Sequence, residues 1–268
     1  MPCLTEVCEW IYGPNATDGI TTLAISLRKK YPSIFFASQE NTPRIADVNT
    51  LYKIEQNFTQ DLSKSLEIDI PARLVTDSSR LKRFKDEFPR VIENLHEHAS
   101  WLSKILNILV SDILPIEHSV KGNSPIAFSS HKAKGIVFIS SRNTYETLSR
   151  DTIDLCHEIG HQALMILLYS DKIITSDPSI LVFSGARKEP RPSYKSLHSA
   201  FALAYMISCE FHLPHKGKKA YCPKELRTAL RMNVASLKKE CEFTSFGKVL
   251  IDELQILSET HPSNASNG

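Results

Sequence analysis

Apolar residues recur at intervals of three and four along most of the chain, and short β-prone runs interrupt that pattern near its middle. In the first 75 residues the spacing predicts a helix over Thr17–Tyr31, ended by Pro32, and a second over Ala46–Leu66. From Asp77 to Leu114 a helical period links Phe84, Val91, Leu95, Leu102, Ile105 and Leu109. Pro89 divides this segment into two helices and Pro115 closes it, since proline lacks the N–H that a helix interior needs. Between Ile116 and Ile139 the character changes. Ile126-Ala127-Phe128 and Gly135–Ile139 are short, β-prone and bounded by Ser, Gly and Lys, which predicts a small sheet. Thr144–Tyr169 then reads as one long helix, Ser170–Pro192 as a loop rich in Ser, Asp and Pro, and Ser193–His212 as the next helix. Helices over Lys224–Cys241 and Phe246–Glu259 complete the fold, and Pro262–Gly268 is expected to fray. The fold class is therefore mainly α, multi-helical with a small β-sheet next to the Thr144–Tyr169 helix. A helical N-terminal region, 1–115, and a catalytic region, 116–262, are expected to continue as one compact domain.

Composition narrows the function classes. A chain of 268 residues with 42% hydrophobic and 23% charged residues can bury a sizeable core. Its 32 basic and 30 acidic residues leave a net charge of +2 without a long single-sign block, so nucleic acid is not an expected partner. The longest apolar run, Ala163 to Tyr169, is far below the roughly 20 residues of a membrane helix, and no basic stretch leads into a hydrophobic segment at the N-terminus. No membrane partner and a cytoplasmic location are expected. The six cysteines, at positions 3, 8, 156, 209, 222 and 241, form no CxxC pair and read as reduced thiols. Cys156 and Cys209 fall in apolar helical stretches, where cysteine behaves as a small hydrophobe.

The chemistry sits in His157-Glu158-Ile159-Gly160-His161. Histidines four residues apart project from one face of a helix and can hold one ion, and a Glu after the first can act as general base on a metal-activated water. The apolar flanks Ile153, Leu155, Leu164 and Leu167 place the motif on a buried helix, where Gly160 costs about 1 kcal/mol relative to alanine and so implies a close approach by another backbone or a ligand. Asp154, three residues before His157, could fix that imidazole's tautomer, or could be a solvated helix charge. A third histidine six residues after His161 would mark a metzincin, but Leu167 stands there. On the following helix His198 is a better third ligand than Glu210, because the 170–192 loop is long enough to lay the two helices antiparallel with His198 beside the pair. Three imidazoles with open positions suit zinc or non-haem iron. The segment Arg187-Lys188-Glu189-Pro190-Arg191-Pro192 puts guanidinium groups just before the His198 helix, where one could hold the carboxylate of a small diacid that chelates the metal.

HExxH, a loop ending in Pro-Arg-Pro and a Leu-His near the start of an apolar helix together resemble the HExxH-motif peptide-modification proteins, found with ribosomally made, post-translationally modified peptides. The matching residues are 155–161 and 189–202, with a looser match through 226–254 that includes Phe243-Thr244-Ser245-Phe246-Gly247. The resemblance implies an iron(II)- and 2-oxoglutarate-dependent dioxygenase that hydroxylates a side chain of a precursor peptide, typically at the β-carbon. It carries His157, His161 and His198 over as ligands and Arg191 as the cosubstrate anchor, with Arg187 as its rival. Glu158 becomes a supporting group or a ligand. Lys188, Ser193 and the polar N-terminal third depart from the pattern. The rival readings are a zinc-dependent metallopeptidase with Glu158 as general base and a non-catalytic peptide-binding partner, against which the complete histidine set counts.

Overall fold

The first amphipathic stripe folds as α1 (Gly13–Lys30), burying Ala16, Ile20, Ala24 and Leu27. A short strand, β1 (Arg44–Ile45), then leads into α2 (Val48–Asn57), and β2 (Ala72–Leu74) precedes three consecutive helices, α3 (Ser78–Glu87), α4 (Pro89–His98) and α5 (Ser100–Leu109). The computed structural model describes residues 8–30, 42–57, 62, 66, 72–118, 127–140, 148–214 and 221–260. Local chemistry sets the boundaries. The Asp77 carboxylate caps α3 by accepting from the Arg80 N–H, and Pro89 occupies the first turn of α4, where its missing N–H costs nothing.

The chain continues through β3 (Asp112–His118), β4 (Ala127–Ser129) and β5 (Ile136–Ser140) into α6 (Leu148–Ser170). After β6 (Leu181–Ser184) and β7 (Glu189–Pro192) come α7 (Ser193–His212), α8 (Pro223–Glu240) and α9 (Ser245–Glu259). The fold is mainly α with a small sheet. In that sheet β3 pairs in parallel with β5, antiparallel β4 lies beyond β5, and β1 and β2 both pair along the other side of β3. One apolar cluster takes residues from α1, α4, α5, α6, α7, α8 and α9, so segments on both sides of residue 115 share it. A smaller one fills the space around β2 and β3.

The structure corrects three expectations. The segment expected as two helices divided at Pro89 folds as three, α3, α4 and α5, with a second break at Ala99. The helical run ends at Leu109, not Leu114, and Pro115 lies inside β3 rather than closing a helix. Its carbonyl accepts from the Val75 N–H, so its ring nitrogen faces the same side, at the gap between β1 and β2 where no ladder bond needs a donor. Residues 170–192 are not plain loop: β6 and β7 form an antiparallel hairpin with Val182 opposite Arg191. Ile126, residues 144–147 and the Pro262–Gly268 tail lie outside the described residues. Among the described residues no helix is long and apolar enough to cross a membrane.

Candidate metal centre

The two helices that frame the site touch at Gly160. A Cβ there would lie 2.8 Å from the Phe201 carbonyl oxygen and 3.0 Å from the Ala202 Cα, so the missing side chain lets the backbones of α6 and α7 meet. The helices run antiparallel, as the loop length implied: His161 faces His198, Gly160 faces Phe201, and His157 faces Met206. The HExxH spacing puts His157 and His161 on one side of α6 with their rings edge to face and their Nε2 atoms 3.1 Å apart. His198, from the second turn of α7, brings its Nδ1 to 3.4 Å from His161 Nδ1. His198 thus meets the HExxH pair at His161 Nδ1, the nitrogen other than the one that faces His157, and is not one of the three residues whose ligand atoms converge.

Burial pushes the pKa of His157 down to about 4, with the Arg187 charge adding to the effect. Burial likewise lowers His198 to about 4, helped by His131, and holds His161 well below the usual range with help from His157 and His198. Neutral imidazole is the form that binds a metal. Glu158 is fully buried, and that burial raises its pKa to about 8 against the lowering effect of a hydrogen bond from Ser129, while Asp154 raises it further. Its Oε2 accepts the Ser129 hydroxyl at 2.8 Å. Its Oε1 lies 3.9 Å from His157 Nε2 and has no hydrogen-bond partner among the described residues.

No family model matches the chain, and no curated protein matches it. His157, Glu158 and His161 offer ligand atoms within 4.8 Å of one another, and Glu158 Oε1 is a buried acceptor that a cation would satisfy. The group fits a borderline transition ion such as zinc or iron(II), which takes imidazole and carboxylate donors.

The remaining sequence candidates separate. Arg187 sits in the turn between β6 and β7, exposed, with its charge acting on His157. Arg191, on β7, has its Nε 3.8 Å from a Glu189 oxygen. Glu210 lies twelve residues past His198 on α7, about 18 Å along the axis, and is not part of the group. Asp154 accepts a hydrogen bond from the Tyr221 hydroxyl, and the atom facing His157 Nδ1 is instead Met206 Sδ at 3.3 Å. Ser129 and Met206 belong to the site, yet no local signal marked them. Each meets α6 from a distant part of the chain, and neither residue type carries a motif.

Proposed function

We propose that this chain is an iron(II)- and 2-oxoglutarate-dependent oxygenase that hydroxylates a side chain, at the β-carbon, of a ribosomally made precursor peptide. The observation that carries the reading is the approach of His198 to His161 of the HExxH pair, with the charge of Arg187 acting on His157 and Arg187 making no hydrogen bond or ion pair to any described residue. A cation without an acidic partner among the described residues, next to neutral imidazoles, is suited to an anionic chelator. The peptide and the β-carbon rest on the resemblance of residues 155–161 and 189–202. A cytoplasmic site of action suits reduced iron and the five described cysteines, all free.

Iron(II) bound at the site supplies the chemistry in which substrate C–H, 2-oxoglutarate and dioxygen become C–OH, succinate and carbon dioxide, one oxygen atom entering each organic product. His157, His161 and His198 would hold the cation as neutral imidazoles, the form that burial already favours. Arg187 pairs with the distal carboxylate of the keto acid, and Arg191 is the alternative anchor. Ser129 holds one oxygen of Glu158, so the other is aimed at the ligand set and balances the positive charge.

Anaerobic addition of iron(II) and 2-oxoglutarate should produce a visible charge-transfer band. Addition of peptide and air should then yield succinate and a peptide heavier by one oxygen. A chain that shows neither, and that cleaves peptide when loaded with zinc, belongs to the second reading, a zinc metallopeptidase. One observation favours that reading: a carboxyl raised to about 8 beside the ligands has a basicity suited to general-base work near neutral pH. Glu158→Gln separates the two, since it should abolish hydrolysis while leaving keto-acid binding measurable.

A further inference from the structure

The buried stripe of α8 reads Leu226, Leu230, Asn233, Val234, Leu237. An amide in that stripe, fully buried, is costly unless its hydrogen bonds are made. Asn233 makes them across two elements of the site. Its Oδ1 accepts the Gly185 N–H at the head of the β6–β7 turn, and its Nδ2 donates to the Ser196 carbonyl, 3.4 Å away in the first turn of α7. Gly185 precedes Arg187 by two residues, and Ser196 precedes His198 by two.

We propose that Asn233 is a positioning residue that fixes Arg187 relative to His198, and so sets where a carboxylate can sit against the ligand set. The inference rests on the reading of Arg187 as the anion anchor given above. The turn has little freedom to shift along α8. A Cβ on Gly185 would fall 2.3 Å from the Ala229 carbonyl oxygen, so the turn rests directly on the helix backbone. About two turns further along α8, Ser236 Oγ accepts the Phe183 N–H at 2.8 Å. Lys188 N–H bonds to the Ser184 carbonyl at 2.7 Å and closes the turn around Arg187, with Lys188 itself at a left-handed φ of 58°. The hydroxyls of Ser184 and Ser196, both buried in this corner, make no hydrogen bond among the described residues. Among the described residues Asn233 is thus the side chain that bonds the turn and α7 together through α8.

The experiment titrates 2-oxoglutarate into the iron(II)-loaded chain without oxygen, in the unsubstituted protein and in Asn233→Ala, Arg187→Ala and the double variant. Hydrogen exchange of the 185–188 amides is followed in parallel. Asn233→Ala should weaken 2-oxoglutarate by at least about tenfold, the scale of a small misplacement, while iron binding holds. The double variant should bind no worse than Arg187→Ala alone, because the Asn233 effect runs through Arg187. Asn233→Asp, whose protonated carboxyl offers the same acceptor and donor, should restore most of the loss and keeps the test available if the alanine variant does not fold. Unchanged keto-acid affinity in Asn233→Ala, or losses that add in the double variant, overturns the proposal. Should the unsubstituted chain bind no 2-oxoglutarate, or Arg187→Ala bind it normally, the reading of the anchor fails instead. The 185–188 amides then decide for Asn233, and unchanged protection in Asn233→Ala overturns the tether as well.

Discussion

His161 stands between two other imidazoles, and each of its nitrogens faces one of them. On the proposed three-histidine site, His198→Ala should lose stoichiometric metal on dialysis, measured by elemental analysis, while the His157–His161 pair stays intact. Full retention would place the third donor elsewhere. At His157 the outward nitrogen meets a thioether. Metal-bound imidazoles usually donate their second N–H to a carboxylate or carbonyl, which fixes the tautomer and raises basicity. Met206 Sδ, 3.3 Å from His157 Nδ1, can hold the same tautomer and leave Nε2 for the ion, but sulfur is a weak acceptor. Met206→Leu conserves volume, so stability should change by less than about 1.5 kcal/mol. Metal affinity should fall by about tenfold, the lower end of what loss of such a partner costs. Chelator competition measures it, and an unchanged affinity would show that packing alone orients His157.

At the scale of elements, the α6–α7 contact decides whether the ligands can meet. Alanine is the better helix former by about 1 kcal/mol, so an exposed Gly160 would gain from substitution. Here the new Cβ would meet backbone atoms of Phe201 and Ala202 at 2.8 and 3.0 Å, and backbone cannot swing aside as a side chain can. Gly160→Ala should instead lose about 1–3 kcal/mol, the usual cost of overpacking, and weaken metal binding as His161 and His198 separate. A raised melting temperature would refute the contact. This glycine was legible in the sequence because its conformational cost asked for a reason. The HExxH face was legible as well, since a helical period fixes which residues share a side, and the approach of His198 to His161 was legible from a loop long enough to reverse the chain. Less was written about the strands. β3 follows α5 after only Val110 and Ser111, and its Pro115 resembles a helix stop until β1 and β2 show the gap that tolerates it. The β6–β7 hairpin hides behind Pro190 and Pro192, so the sequence could not say that the turn would carry Arg187 toward His157 while Arg191 came to lie beside Glu189.

Across the whole molecule, buried ionisable groups give the metal-free chain opposing responses to pH. The histidine pKa values are depressed in the fold, to about 4 for His157 and His198, so below the ordinary value of 6.5 the unfolded chain binds more protons and stability falls as pH drops toward 4. Glu158 has the opposite sign. Its folded pKa is raised from 4.5 to about 8, so the native state holds a proton that the unfolded chain has released, and stability falls as pH rises from 4.5 through 8. Glu253, raised by burial although it accepts the N–H groups of Glu9, Trp10 and Ile11, adds in the same direction. Between 4.5 and 6.5 the histidines outnumber these carboxyls, and above 6.5 only the carboxyls act, so the chelated protein should be most stable near pH 6.5. From there to pH 8 it should lose about 1–2 kcal/mol in urea unfolding, from a linkage of 1.36 kcal/mol per pH unit per proton. Metal reverses the Glu158 contribution, because a cation beside Oε1 favours the carboxylate and draws its pKa down. Loading should therefore flatten the decline above pH 6.5 and release close to one proton per ion at pH 7, read by calorimetry in buffers of different ionisation enthalpy. In Glu158→Gln both the proton release and most of the alkaline decline should vanish together. If proton release persists in that variant, the proton comes from a histidine, and the three imidazoles are not neutral before the metal arrives.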